Sequence, residues 1–207
     1  IGKKIMFKKR KLYEEGGSTE NQMNALMPTE ETHTMPDGTE MAGATHGEYE
    51  EQMEGLMDKE TFTRTIEAVT SVISGKPLNE GLALELNKRF PPDSELFAEI
   101  RQTCETGISE GWMCGQEFGG IKFGRVVRDI DGFSVDVVQM KDVVGPHHRH
   151  PKGEIDLIMP IEGNAKFDNQ GAGWVVYKPG SAHNPTVTDG AAIVLYLLPD
   201  GEIEFTR

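Results

Sequence analysis

After Gly111 the chain changes its period. Eight short segments follow, IKFGRVV, FSVDVVQM, EIDLIMPIEG, NAKFDN, GWVVYKPG, HNPTVT, AAIVLYLLP and EIEFTR. They are rich in Val, Ile, Phe and Tyr, and Gly, Pro, Asn or Asp marks most of the joins. Segments so short cannot stand alone, and joins so tight favour antiparallel neighbours. The expectation is an antiparallel β-sandwich or small β-barrel over residues 112–207.

Upstream, the apolar spacing is helical. Phe62, Ile66, Val69 and Ile73 recur at helical intervals after a candidate cap at Asp58, and Gly75 and Pro77 close the run. A second helix is predicted in LNEGLALELNKRF, stopped by Pro91 and Pro92. A third carries Leu96, Phe97, Ile100, Cys104 and Ile108 on one side, with Asp93 or Ser94 as its cap and Gly111 as its stop. These form a helical subdomain over 57–111.

Residues 1–56 have few β-branched apolar residues and many Glu, Thr, Gly and Met. Such a stretch buries too little surface to offset its ordering entropy, and reads as a disordered acidic tail. Met27, His33, Met35, Met41 and His46 are irregularly spaced and read as part of that solvated tail.

The formal net charge of -13 argues against nucleic acid and anionic membranes as partners, because no broad basic surface can be assembled. No apolar run is long enough to span a bilayer. The basic start, IGKKIMFKKRK, has no apolar run behind it, and the two cysteines make no disulfide framework. Both features lead to a cytoplasmic expectation.

The chemistry concentrates in GPHHRHPKGEID, residues 145–156. On a strand, positions i and i+2 face the same way. His148 and His150 therefore point together, and His147 and Arg149 point to the other face. Pro151-Lys152-Gly153 turns the chain, and Glu154 and Asp156 open the next strand on one shared face. Two imidazoles and a carboxylate are a facial set that holds a divalent ion and leaves positions open. His183, in YKPGSAHNP, follows at a distance that lets a hairpin or two bring it back beside the pair. Fe, Mn, Zn, Ni and Co all suit such donors.

HRHPKGEIDLIMPIEG resembles the first motif of the cupin superfamily, and PGSAH the second. That motif runs His-x-His, three or four residues, Glu, six residues, Gly. His148, His150 and Glu154 fit its first half. The path from Glu154 to Gly163 is two residues too long, whereas Asp156 fits the second half. Glu154 is thus the first choice for the carboxylate donor and Asp156 the second, and whichever does not bind is left to shuttle protons. His183 matches the second motif.

GWMCGQEFGGIKFGRVV, GFSVDVVQMKDVVGPHHRHPKGEIDLIMP and GAGWVVYKPGSAHNPTV, within about residues 58–207, resemble the 4-hydroxylaminobenzoate lyase family of bacterial nitroaromatic degradation. The resemblance implies conversion of 4-hydroxylaminobenzoate to 3,4-dihydroxybenzoate (protocatechuate) with release of ammonia. A metal-dependent dioxygenase on the same scaffold and a non-catalytic small-molecule-binding cupin are the alternatives.

Arg125 is the candidate to hold a substrate carboxylate through its two-pronged guanidinium. Tyr177 and Trp112 suit core packing or an aromatic pocket wall. Cys114 has no activating base beside it in the sequence. Open sheet edges favour pairing into a homodimer.

Overall fold

The computed structural model describes residues 32–34, 40–42 and 46–206, with side-chain surroundings from residue 58 onward. Most of the tail expected to be disordered, including Met27 and Met35, lies outside the described residues. Within that stretch two short strands, β1 (Thr32–Thr34) and β2 (Glu40–Ala42), pair antiparallel.

The first helix, α1 (His46–Ile73), starts well before the Asp58 cap that the sequence suggests. The reason is local: Glu, Gln, Met and Leu dominate residues 48–57 and all favour a helix, and Gly55 alone costs only about 1 kcal/mol. α2 (Glu80–Arg89) is capped by Asn79, whose side chain accepts from the Leu82 N–H. α3 (Glu95–Ser109) is capped by Ser94 rather than Asp93, the Ser94 hydroxyl accepting from the Phe97 N–H.

The strands are β3 (Gln116–Phe118), β4 (Ile121–Ile130), β5 (Phe133–Val144), β6 (His148–His150), β7 (Glu154–Phe167), β8 (Gly173–Tyr177), β9 (Ser181–His183), β10 (Thr186–Pro199) and β11 (Glu204–Phe205). They form a six-stranded sheet in the order β3-β4-β5-β10-β7-β8 and a three-stranded sheet in the order β11-β6-β9, with every pairing antiparallel. The mainly β architecture with three helices before it is therefore as expected.

The central strands β7 and β10 of the large sheet are buried on both faces over much of their length, which they announce by uninterrupted apolar runs. Ile155, Leu157, Ile193, Leu195 and Leu197 pack with Phe62, Ile66, Leu86 and Ile100 of the helices. Each such side chain contributes about 1.5–3 kcal/mol by leaving water. The alternate positions, among them Ile158, Val194, Tyr196 and Leu198, form a second cluster with Phe167 and Met140. This second face looks toward the three-stranded sheet, where the Phe167 and His183 rings meet edge to face.

Two pairs of segments that read as separate strands are each one strand with an irregularity. EIDLIMPIEG and NAKFDN make up β7, and HNPTVT and AAIVLYLLP supply β10. The ladder between them shifts register beside Gly163 and Gly190, which pair with each other. Both have positive φ, +66° and +139°. A Cβ at Gly190 would lie 2.0 Å from the Glu162 carbonyl oxygen, so only glycine fits. A second shift falls at the Ala191–Ala192 step, opposite Pro160 to Glu162, and lengthens the path from Glu154 to Gly163.

Candidate metal centre

The turn from β6 into β7 and the pairing of β6 with β9 bring the predicted donors together. His148 pairs directly with His183 across β6 and β9. Glu154 opens β7, four residues beyond His150. One donor atom from each of His148, His150, Glu154 and His183 lies within 4.8 Å of every other. The His183 Nε2 is 3.0 Å from that of His148 and 3.2 Å from that of His150. Neighbouring ligands about 2.1 Å from one ion stand about 3.0–3.4 Å apart, so these spacings suit a single cation. Glu154, not Asp156, completes the group.

The imidazoles are set up as lone-pair donors. His148 Nδ1 lies 3.0 Å from the Pro146 carbonyl, which can only accept, so Nδ1 carries the hydrogen and Nε2 is free. Burial, then the neighbouring His183, pushes His148 down to about 4. Burial, then His148, pushes His150 down to about 3. Both rings are therefore neutral near pH 7.

The acids carry the opposite strain. Burial raises Glu154 well above the usual carboxylate range, and the Asp156 charge adds to it. Burial does the same to Asp156. Among the described residues, the sealed side-chain polar atoms without a hydrogen-bond partner are His150 Nδ1, both carboxylate oxygens of Glu154 and of Asp156, and Ser181 Oγ. His150 Nδ1 comes within 3.0 Å of Glu154 Oε2 but without hydrogen-bonding alignment. Orphaned buried atoms are costly and rare, and here all belong to one place. Three imidazole nitrogens and a carboxylate oxygen fit a divalent first-row ion, which would take up the charge that the protein leaves unanswered.

Asp168 is a residue that the sequence did not reveal. It follows β7 with a positive φ of 48°, and its Oδ2 lies 2.5 Å from His183 Nδ1. The Tyr177 hydroxyl donates to the same oxygen at 2.9 Å, and the Thr186 N–H to Oδ1 at 2.9 Å. Burial alone would raise its pKa, but the hydrogen bonds from His183, Thr186 and Tyr177 outweigh it and hold the carboxyl below its usual value. A carboxylate behind a donor histidine fixes the ring and makes it a stronger base. Asp168→Asn should weaken metal affinity about 10- to 100-fold in a chelator competition while the fold persists; unchanged affinity would remove this role. No signal in FDNQG marks the residue, since its partner is fifteen positions away.

His147 and Arg149, which alternate with the donors, and Lys152 in the turn after β6 hold the C-terminal segment. Arg149 pairs with Glu204 at 2.7 Å, Lys152 with Glu202 at 2.7 Å and also with Asp200, and the His147 ring with the Thr206 hydroxyl. The segment so held places Phe205 edge-on to His148, ring centres 5.7 Å apart.

A cavity of about 560 Å³ opens beside the donors. His148, Tyr196, Phe123, Phe205 and Arg125 are among its lining residues. Arg125 lies across the sheet from the donors. Its Nε donates to Asp136 Oδ1 at 2.9 Å and its Nη2 to the Gly201 carbonyl at 3.2 Å, which leaves Nη1 and one Nη2 hydrogen unused. Ser134 donates to the other Asp136 oxygen at 2.6 Å. Tyr177 is spent on Asp168 and Trp112 packs against the helical core. Cys114 is pushed up to about 11 by burial and is no nucleophile. Among the described residues no helix is long and apolar enough to cross a membrane.

Two antiparallel sheets around a His-x-His, Glu and His group define a cupin-like protein. The chain belongs to the 4-hydroxylaminobenzoate lyase (PnbB) family, whose sequence profile matches residues 64–205. It is 30% identical to the 4-hydroxylaminobenzoate lyase of Pseudomonas putida over 154 residues, covering 64% of this chain and 87% of that one. Its identity to the protein of the same name from Nocardioides sp. (strain LMS-CY) is 29% over 145 residues, covering 64% and 86%. Among solved structures it is similar to DMSP lyase DddQ from Ruegeria pomeroyi DSS-3, at 17% identity and a TM-score of 0.44, covering 70% of this chain and 95% of that one. It is also similar to an RmlC-like cupin protein from Ralstonia eutropha, at 14% identity and a TM-score of 0.36, covering 46% and 66%.

Proposed function

We propose that this protein is a metal-dependent lyase that converts 4-hydroxylaminobenzoate and water to 3,4-dihydroxybenzoate and ammonia. The observation that carries the reading is the cavity with a donor cluster at one side and an arginine with unused hydrogens at the other. Its volume falls in the usual range for small-ligand sites, about 300–1,000 Å³.

His148, His150, Glu154 and His183 would hold the cation. Such an ion, when bound, supplies Lewis acidity that eases cleavage of a polar bond. Arg125 takes the substrate carboxylate, and Phe123 and Phe205 flank the ring. Arg125 and Asp156 stand on the same face three strands apart, about 14 Å between backbones at about 4.8 Å per strand. Between them Tyr196 and His148 line the cavity, and a para-substituted benzoate held at Arg125 points its substituent toward them. Asp156, buried beside the donor group yet outside it, is placed to pass protons.

The chemistry balances without an external oxidant. The N–O bond breaks with its electron pair going to oxygen. A water oxygen bonds to the adjacent ring carbon and sheds a proton, leaving a C=N bond at the carbon that bears nitrogen. A second water hydrolyses that C=N bond and ammonia leaves, and the adjacent carbon then loses its own hydrogen as a proton, which restores the aromatic ring. Nitrogen gains two electrons and carbon loses two, with one water consumed overall.

Purified protein given 4-hydroxylaminobenzoate should release ammonia and the catechol in equal amounts without NAD(P)H. Oxygen uptake in step with turnover would point to a dioxygenase instead. Tight binding with no product would point to a binding protein.

A further inference from the structure

One rung of the six-stranded sheet carries four polar side chains in succession. Arg125 pairs with Asp136, Asp136 with Tyr196, and Tyr196 with Asp156, across β4, β5, β10 and β7. Three of the four are already accounted for: Arg125 and Asp136 hold each other, and Asp156 lies beside Glu154. Tyr196 is not. It is 5% exposed and lines the cavity with His148 and Arg125, yet among the described residues its hydroxyl has no hydrogen-bond partner. A phenol end left bare at a cavity wall is available to a ligand.

Its place in the rung says which part of a ligand. β10 adjoins β7 and is two strands from β4. At about 4.8 Å per strand, the Tyr196 backbone lies about 5 Å from that of Asp156 and about 10 Å from that of Arg125. A benzoate anchored at Arg125 therefore presents its para substituent, not its carboxylate, to Tyr196. The other phenol nearby, Tyr177, is committed to Asp168. Burial, then the charges of Asp156, Glu154 and Asp168, hold the Tyr196 phenol well above its usual range, so it keeps its hydrogen at working pH.

We infer that Tyr196 donates a hydrogen bond to the N-bound oxygen of the arylhydroxylamine, holding that oxygen as the N–O bond breaks. The inference rests on the arylhydroxylamine reading above. Tyr196 stays protonated throughout, so no proton is transferred to or from it.

Tyr196→Phe tests this directly. Among the described residues the hydroxyl has no hydrogen-bond partner, so its loss should leave the fold and metal content unchanged. With 4-hydroxylaminobenzoate, kcat should fall about 100-fold, as when one donor to a developing negative oxygen is removed, while KM changes little. Binding gives a reading independent of turnover. 4-(Hydroxymethyl)benzoate keeps the oxygen one atom from the ring, and 4-ethylbenzoate replaces it with a methyl group. By calorimetry Y196F should bind the first about fivefold more weakly and the second as wild type does. Y196F with wild-type kcat and equal affinity ratios would overturn this inference alone. A wild-type protein with no turnover of 4-hydroxylaminobenzoate would overturn the lyase reading, and this inference with it.

Discussion

His150→Ala is expected to leave a folded protein with about a tenth or less of the wild-type metal content and turnover reduced about 10³-fold. Three physical effects combine. The fully buried imidazole supplies one of four converging donors, so its loss opens the set. Without the ion, the buried carboxyls of Glu154 and Asp156 stay unanswered in a place that raises both their pKa values. Loss of the Lewis acid then costs several kcal/mol in the transition state, which is the stated factor. Elemental analysis, a far-ultraviolet dichroism spectrum and an ammonia assay on the same sample check all three. Chelation of the wild type should reproduce the activity loss and lower the melting temperature, because a ligand of the folded state stabilises it. A chelated protein or a His150→Ala variant that turns over at the wild-type rate would sink the metal-dependent reading.

Gly190→Ala should destabilise the fold by about 3 kcal/mol or more, and lower the melting temperature by about 10 °C. Two costs add. The backbone there has a φ of +139°, where a side chain is strained, and the new Cβ would sit 2.0 Å from a backbone oxygen of Glu162. The neighbour is main chain in the β7–β10 ladder at the middle of the sheet, so it cannot swing aside. A control at Gly171, whose φ is ordinary and whose Cβ would meet nothing within 4 Å, should shift stability little. A Gly190→Ala melt within a degree or two of wild type would show that the bulge relaxes at small cost.

Much of the site was legible because its donors are close in sequence and strand geometry is periodic. The i, i+2 rule alone puts His148 with His150 and turns Arg149 outward, where it meets Glu204. The choice between Glu154 and Asp156 was legible only in part: the spacing from the His-x-His pair favours Glu154, and the spacing to Gly163 favours Asp156. Both face the same way on β7, and only the backbone path, with its irregularity near Gly163, shows which carboxylate reaches the imidazoles. Asp168 and Asp136 were missed for a related reason. Each acts on a residue far along the chain, His183 or Arg125, and lone acids in turns or strands carry no local signature. The start of α1 was missed because a weak cap at Asp58 outweighed the steady helix preference of the residues before it.

What the amino-acid order determined by itself was the set of local preferences: the three helices and most of their ends, the short strands, the turns, and two imidazoles sharing one face. These follow from dihedral preferences and side-chain periodicity over a few residues. The tertiary structure decided which strands are neighbours. That choice brought His183 against His148, placed Arg125, Asp136, Tyr196 and Asp156 on one rung, and gathered the unpaired buried carboxylates beside an open cavity. It rests on burying both faces of the central sheet at once, an energy summed over the whole domain that no short stretch of sequence contains.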